Sequence, residues 1–338
     1  MANVTRLTVR RALEGRSGVG EATRDRIRAL AREHGYRPNV AARATQSGRL
    51  GSIDLLLSHF SGGVSRIPHG LLDGVHGALS RHELRLTLSR VNDEKLADPD
   101  YMPRILREFM ADGVIVGYAF HFPPRMLELI EQNRIPAVWF NAHLPRASVR
   151  PDDVAAGRIA TEHLLEHGHR RVGFVSLAEG GHYSREAREA GYGEAMAAAG
   201  LTPRVDRLGA RDIHVISEAG FADDERLPLA KAYLDRAERP TAVVAYSDSC
   251  ANVINFAAAE LGLKVPRDLS VVTIADRIVA AQGRATTTVN LCWQAIGDAC
   301  VDMLVDRIND PTHNPESRVM PVRLEAGQSV SPFVADQS

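Results

Sequence analysis

The chain has 338 residues, 44% hydrophobic and 25% charged, which is enough for two or three folded domains and excludes a disordered protein. It contains no apolar run near the roughly 20 residues of a membrane helix, and arginines interrupt the N-terminal segment where a signal peptide would lie. The net charge of −1 conceals an asymmetry, because residues 1–50 carry eleven arginines against four acidic residues, or +7, and the remainder carries −8. A basic module on an acidic body indicates phosphate-backbone binding, with the solvated surface of an arginine-rich protein as the alternative.

Two helices are predicted in the basic N-terminal segment. Thr5 can cap a first helix over residues 6–14, which Gly15 ends, and a second helix covers residues 21–34 before Gly35. In each helix the apolar residues fall three and four positions apart and form a packing face, while arginines occupy the other faces. A helix, a glycine-containing turn and a helix with outward basic side chains indicate a DNA-reading helix-turn-helix unit.

Residues 5–15, 19–24 and 35–39 of this segment resemble the LacI/GalR family of transcription regulators. In that family the first positions of the recognition helix and a later arginine read base edges in the major groove, which implies this role for Arg6, Leu7 and Arg11. The resemblance also implies contacts to the DNA backbone or minor groove by a set of head and hinge residues: Thr5, Thr8, Arg10, Arg24, Tyr36, Asn39, Ala42 and Thr45.

Three features depart from the family pattern. Only residues 1–4 precede the recognition helix, where the family has a whole packing helix, which implies either a start codon assigned too far downstream or impaired DNA binding. Gly20 replaces the usual serine cap of the second helix. Thr45 replaces the hinge leucine that wedges between base pairs, so we expect weaker bending of the DNA, although Ala42 keeps the small residue needed for close approach.

Strands and helices alternate through the rest of the chain, which indicates parallel, doubly wound α/β sheets. Strands are predicted at 52–57, 84–89, 114–116, 137–140, 171–176, 242–245, 270–274, 286–289 and 319–324. Helices are predicted at 67–82, 103–110, 125–132, 155–166, 185–199, 225–238, 250–261 and 294–308. These strands are too many for one lobe, so we expect two lobes with a ligand cleft at the carboxyl ends of the strands.

Residues 112–117, 152–170, 188–192 and 261–266 extend the resemblance to the family's two-lobed, type I periplasmic-binding-protein-like body. The resemblance implies a small all-α helix-turn-helix head, a hinge and an effector-binding, dimerising body. We expect the boundaries to fall at 1–37 for the head, 38–50 for the hinge and 51–338 for the body, with lobe 1 at about 51–170 and 286–316 and lobe 2 at about 171–285 and 317–338.

The resemblance further implies effector contacts in the cleft by Ser58, His59, Phe60, Arg188, Ser247, Asp248 and Asp276. Ala275 takes the place of an acidic residue that binds effector hydroxyls in many members, and losing such an acceptor costs a polyol about 1.5–3 kcal/mol. The expected effector is a carbohydrate, and this departure leaves a modified sugar, a non-sugar or the absence of an effector as alternatives. Trp139 and Phe140 either stack on a sugar face or belong to the core.

No enzyme or cofactor motif is found, so we predict a non-enzymatic regulator without cofactor or metal. His163 and His167 fit a zinc-type H-x-x-E-H spacing, but this segment also matches the ordinary helix end of the family. Three cysteines without regular spacing fit a reducing cytoplasm. The prediction is a cytoplasmic homodimeric repressor of a near-palindromic operator, controlled by a small molecule, with no membrane partner. The alternatives are a sensor that has lost DNA binding and a secreted sugar-binding protein.

Overall fold

The computed structural model describes residues 3–37, 44–45, 48–60, 63–64, 67–118, 123–176, 182–208, 226–278, 280–281 and 283–334. The chain divides into two compact units, Met1–Leu50 and Gly51–Ser338. No helix in these ranges is both long and apolar enough to cross a membrane.

The N-terminal unit contains helices α1 (Arg6–Leu13) and α2 (Glu21–Glu33), each within one residue of its predicted end. Thr5 caps α1, since its Oγ1 accepts a hydrogen bond from the Thr8 amide at 3.2 Å. Ala12 of α1 and Ile27 of α2 are buried in the contact between the helices. Their small apolar faces pack together and leave the basic faces outside.

The body is built on two sheets whose strands are mostly parallel. The first sheet contains β1 (Ser52–Phe60), β2 (Gly63–Val64), β3 (Arg85–Asn92), β4 (Gly113–Gly117), β5 (Ala137–Phe140), β6 (Ser148–Pro151) and β14 (Arg318–Met320). Its order is β14–β6–β5–β4–β1–β2, and β3 pairs with β1. The helices of this lobe are α3 (Leu71–Arg81), the 3-10 helix Asp93–Ala97, α4 (Arg104–Arg107), α5 (Pro124–Gln132) and α10 (Trp293–Asn309).

The second sheet has the order β15–β13–β10–β9–β7–β8. Its strands are β7 (Val172–Ser176), β8 (Val205–Arg207), β9 (Ala242–Ala245), β10 (Ser270–Ala275), β13 (Thr287–Asn290) and β15 (Arg323–Glu325), and a small separate pair is formed by β11 (Ala280–Ala281) and β12 (Arg284–Ala285). The helices of this lobe are α6 (Asp153–Glu166), α7 (Ser184–Ala198), α8 (Arg226–Leu234) and α9 (Asp248–Glu260).

Helices cover both faces of the central strands, so every residue of β4, β5, β7, β9 and β10 is buried. This burial explains why these strands read as continuous apolar runs in the sequence. Their carboxyl ends in the two sheets border the space between the lobes.

The lobe boundaries differ from the predicted ones at three places. Helix α6 packs on α7 in the second lobe, β13 lies in the second sheet, and β14 lies in the first sheet. The predicted strand at 319–324 is two strands, because Pro321 cannot donate a ladder hydrogen bond and the chain leaves one sheet for the other there. Strand β6 was not predicted, since it is short and ends in a proline.

Two helix pairs cross closely through glycines. An added Cβ at Gly74 of α3 would overlap the backbone of α10, and one at Gly297 of α10 would overlap that of α3. In the second lobe, Gly157 of α6 faces the Arg188 carbonyl of α7, and Gly191 of α7 faces the Val154 carbonyl of α6. The second crossing fixes where α7 presents Arg188.

Candidate DNA-reading surface and effector cleft

The side chains assigned to base reading share the exposed face of α1. Arg6 and Arg11 are exposed, and Leu7 is 50% exposed although it is a large apolar residue. An exposed leucine between two arginines on one short helix suits a surface that meets base edges and thymine methyl groups.

The residues assigned to the DNA backbone are more constrained. Arg10 pairs with Glu14 at 3.4 Å. Arg24 donates from Nη2 to the Arg16 carbonyl at 2.9 Å, so its side chain braces the turn between the helices. Gly20 provides no side-chain cap for α2, as its sequence implied. Tyr36 and Thr45 are exposed, whereas Asn39 and Ala42 lie outside the described residues.

The body contains a cleft between its lobes with a volume of about 770 Å³, including its open mouth. It lies at the carboxyl ends of β4, β5, β9 and β10 and at the start of α10, as expected for this class of fold. Its lining residues are Pro68, Gly117, Tyr118, Phe140, Asn141, His182, Ser184, Arg188, Tyr246, Ser247, Asp248, Ile274, Ala275, Asp276, Leu291 and Trp293. The predicted contacts Arg188, Ser247, Asp248 and Asp276 are among them.

Arg188 is held rigidly in the wall of the cleft. Its Nε donates to Asp153 Oδ1 at 2.8 Å, and its Nη1 donates to the Tyr246 carbonyl at 2.7 Å. The guanidinium carbon lies 4.7 Å from the centre of the Tyr246 ring, a cation–π arrangement. Burial is the largest influence and opposes its charge, but Asp153 together with Tyr246 and Tyr183 keeps the pKa of Arg188 above its ordinary value. Arg188 is therefore a fixed cation. Its Nη2 has no partner among the described residues and can bind a ligand.

A chain of hydrogen bonds runs from lobe 1 into lobe 2 beside Arg188. His182 Nε2 donates to the Asn141 carbonyl at 2.8 Å, and His182 Nδ1 accepts from the Ser184 amide at 3.3 Å. Ser184 Oγ lies 2.9 Å from the Tyr246 hydroxyl. This pattern of one donating and one accepting ring nitrogen describes a neutral imidazole. The chain ties α7 and β9 to the end of β5.

Ser247 and Asp248 form the first residues of α9, at the cleft. Ser247 Oγ accepts from the Cys250 amide at 3.3 Å, and Asp248 Oδ1 accepts from the Ser249 amide at 2.8 Å. The carboxylate thus bonds one of the free amides at the start of its own helix and lies at the positive end of the helix dipole.

Asp276 joins the two lobes rather than offering a free acceptor. Its Oδ2 accepts from the His69 amide of lobe 1 at 2.9 Å, and its Oδ1 accepts from Trp293 Nε1 at 2.8 Å. His69 precedes α3 and Trp293 begins α10, so one carboxylate contacts the N-terminal ends of two helices.

The loop after β1 contributes less to the described cleft than predicted. Ser58 is buried and hydrogen-bonds Asp93, and it does not line the described cleft. The side chains of His59 and Phe60 lie outside the described residues. Phe140 lines the cleft, whereas Trp139 belongs to the core behind it.

Sequence reasoning did not find Asn141, His182, Tyr246 or Trp293. Tyr246 directly follows a predicted strand, and this position at a carboxyl end is the signal that was available for it. His182 precedes a predicted helix, which is a weaker signal. His163 and His167 stack with ring centres 4.4 Å apart, and no group of three possible metal ligands occurs among the described residues.

Two family models match the chain. The model for bacterial regulatory proteins of the lacI family matches residues 1–39, and the periplasmic binding protein-like domain matches residues 161–330, half of the chain. The transcriptional regulator CelR of Thermobifida fusca is 29% identical over 97% of this chain and 96% of its own. The transcriptional repressor PurR of Vibrio atlanticus is 26% identical over 96% of this chain and 94% of its own.

Solved structures give the same result. A CelR–cellobiose complex superposes with a TM-score of 0.65 at 25% identity, covering 97% of both chains. A lac repressor dimer bound to operator and an anti-inducer has a TM-score of 0.76 at 19% identity, covering 98% of this chain and 96% of that one, which shows the shared fold. The chain therefore belongs to the LacI family and is a ligand-responsive, DNA-binding transcriptional regulator with a periplasmic-binding-protein-like body.

Proposed function

We propose that this regulator is a cytoplasmic repressor that binds a carbohydrate in the cleft. The observation that carries the proposal is Arg188, a buried cation fixed by Asp153 and Tyr246 in a cleft with aromatic walls. Aromatic faces pack on the C–H faces of sugars, and fixed polar groups bond their hydroxyls. The cellobiose held by a CelR relative supports the same class of ligand.

The proposed DNA contacts are base reading by Arg6, Leu7 and Arg11. Arg11 would make a two-pronged contact to guanine, and the exposed backbone-facing residues would set the register. Arg24 is a weaker candidate for a phosphate contact than the sequence implied, because its Nη2 is bonded to the chain's own turn.

We further propose that the chain acts as a homodimer, so the operator is nearly palindromic. Each lobe exposes a large apolar side chain on a regular element: Leu88 on the edge strand β3 is 55% exposed, and Phe256 on α9 is 63% exposed. Burying these side chains against a second copy would remove them from water. The effector would then alter the relative arrangement of the lobes and thereby DNA binding, which is allostery between two states.

Two substitutions, one in the DNA-binding unit and one in the cleft, test DNA binding and the sugar response separately. Arg11→Ala should weaken binding to a duplex selected with the wild-type chain by about 10- to 100-fold, because a guanine contact is lost. It should leave sugar binding intact. Arg188→Ala should abolish the response to sugar while duplex binding survives. Both are measured by fluorescence anisotropy of the duplex, with cellobiose and a panel of mono- and disaccharides as probes.

Two outcomes would contradict the proposal. If Arg188→Ala responds to sugars as the wild type does, the cleft assignment is wrong. If the wild type binds a sugar but has no more affinity for duplex DNA at low salt than an acidic control protein, the chain is a sensor without DNA binding.

A further inference from the structure

The charged groups of the cleft are satisfied by the protein itself. Arg188 uses Nε on Asp153 and Nη1 on the Tyr246 carbonyl. A carboxylate or phosphate is normally bound by two parallel N–H groups of one guanidinium. Asp153 already holds the Nε edge of this guanidinium and the Tyr246 carbonyl holds one N–H of Nη1, so part of its donor set is used within the protein.

Three helix ends near the cleft already have an amide that is bonded by the protein. The N-terminus of a helix attracts anions through its free amides and its dipole. At α9 those amides are bonded by Ser247 and Asp248, at α7 the Ser184 amide is bonded by the neutral ring of His182, and the His69 amide before α3 is bonded by Asp276.

The balance of charge is negative. Among the described lining residues Arg188 is a cation, while Asp248 and Asp276 are carboxylates. Asp153, directly behind Arg188, carries a further carboxylate at 2.8 Å and balances its charge. Arg150 also acts on Asp153 and lies 5.8 Å from the centre of the Tyr183 ring, so among these described groups two cations face three carboxylates. An anionic group in this space would meet this negative balance, and such repulsion is stronger away from bulk water.

We propose that the cleft selects an uncharged, hydroxyl-bearing effector and rejects phosphorylated or carboxylated sugars. This inference rests on the proposed carbohydrate function and specifies the class of sugar. The acceptors for the hydroxyls are the second carboxylate oxygen of Asp248 and the side chain of Asn141, whose Oδ1 also accepts from the Tyr183 hydroxyl at 3.3 Å, and the walls are Phe140 and Trp293.

Matched pairs of probes test the proposal. Isothermal titration of the full chain compares each neutral sugar with its phosphate ester or uronic acid, for example glucose with glucose 6-phosphate and with glucuronate, and cellobiose with cellobionate. For every neutral sugar that binds, the anionic partner should bind at least about 30-fold more weakly. The ratio should shrink as salt is added, since screening weakens the repulsion.

The Asp248→Asn variant tests whether the charge of Asp248 sets the ratio of neutral to anionic affinity, which a purely structural role of this residue would not change. Asparagine can still accept from the Ser249 amide, but it removes one negative charge from the cleft. The ratio of neutral to anionic affinity should fall by about 5-fold or more. Asp73→Asn, an exposed acid on α3 that does not line the described cleft, is the matched control and should leave the ratio as in the wild type.

The possible outcomes distinguish a failure of this charge rule from a failure of the proposed carbohydrate binding. A phosphorylated or acidic sugar that binds as tightly as its neutral parent would overturn the charge rule and leave the carbohydrate function standing. An unchanged ratio in Asp248→Asn would overturn it as well. If no sugar of either kind binds, the carbohydrate function fails and the charge rule fails with it.

Discussion

The carboxyl group of Asp93, near the cleft, has a pKa well above that of an ordinary aspartate. Asp93, at the start of the 3-10 helix after β3, accepts a hydrogen bond from the Tyr118 hydroxyl at 3.3 Å. Burial raises the pKa of Asp93 to about 7, and the hydrogen bonds from Tyr118 and Ser58 only partly offset this. Because Tyr118 lines the cleft, the protonation state of Asp93 is connected to the cleft through its hydrogen bond with Tyr118.

The stability of the fold should therefore depend on pH through Asp93. An unfolded aspartate has a pKa near 4, so between about pH 4 and pH 7 the folded state binds the extra proton and the free energy of unfolding falls as pH rises. Asp93→Asn removes this dependence and should be more stable than the wild type at pH 8, by about 1–2 kcal/mol after allowance for partial exposure.

Thermal unfolding of both proteins at pH 5 and pH 8 measures this difference. Asp73→Asn is the control, since that side chain is exposed and should follow the wild type at both pH values. A gap between Asp93→Asn and the wild type that is the same at pH 5 and pH 8 would contradict the assignment.

At the scale of elements, the crossing of α6 and α7 sets the position of the cation. The two helices approach closely at Gly157 and Gly191, and this contact brings Asp153 of α6 within 2.8 Å of Arg188 on α7. Gly157→Ala would force its Cβ into the Arg188 carbonyl and push the helices apart. We expect a loss of about 1–3 kcal/mol of stability together with weaker effector binding.

Gly193→Ala on α7 is the matched control, because no atom lies within 4 Å of its added Cβ. Alanine favours a helix over glycine, so this variant should be up to about 1 kcal/mol more stable. Urea unfolding and sugar titration of the two variants provide the comparison. Equal stability of Gly157→Ala and Gly193→Ala would show that the crossing does not constrain the helices.

The local sequence pattern was sufficient to predict most helices and strands, but it was not sufficient to predict which sheet each strand joins. The strands at 137–140 and 242–245 were predicted with the observed bounds, because continuous apolar runs mark strands buried on both faces. The segment at 319–324 reads as one strand, yet its halves pair in different sheets. Which sheet a short strand joins depends on partners far away in sequence, and periodicity does not encode them.

The same limit applies to the cleft of the whole molecule. Arg188 was found through its family motif, but its partners Asp153 and Tyr246 lie 35 and 58 residues away in the chain. Asp276 remains a predicted effector contact in the lining of the cleft, and it also bonds the His69 amide and the Trp293 indole. A carboxylate at a strand end is visible in the sequence, but the donors that reach it are set by how the lobes close.

Asp276 is the residue through which closure of the lobes can be tested. It contacts lobe 1 at His69 and the start of α10 at Trp293, so it stabilises the described arrangement of the lobes without any effector. In Asp276→Asn one acceptor oxygen replaces two, and only one of these donors can be served. Losing one of these partly exposed hydrogen bonds costs about 0.5–1.5 kcal/mol, enough to shift the populations of two lobe arrangements severalfold.

We therefore expect Asp276→Asn without effector to have a larger radius of gyration by small-angle scattering and an operator affinity changed by about 5-fold or more. Trp293→Phe keeps an aromatic ring and the His69 contact, so its effect should be smaller. Asp298→Asn removes an acid from the exposed side of α10, where it pairs with Arg81, and should leave both measurements unchanged. If Asp276→Asn matches the wild type in scattering and in operator affinity, the contact with His69 does not hold the lobes together, and other contacts such as the hydrogen bonds of His182 and Tyr183 to Asn141 must do so.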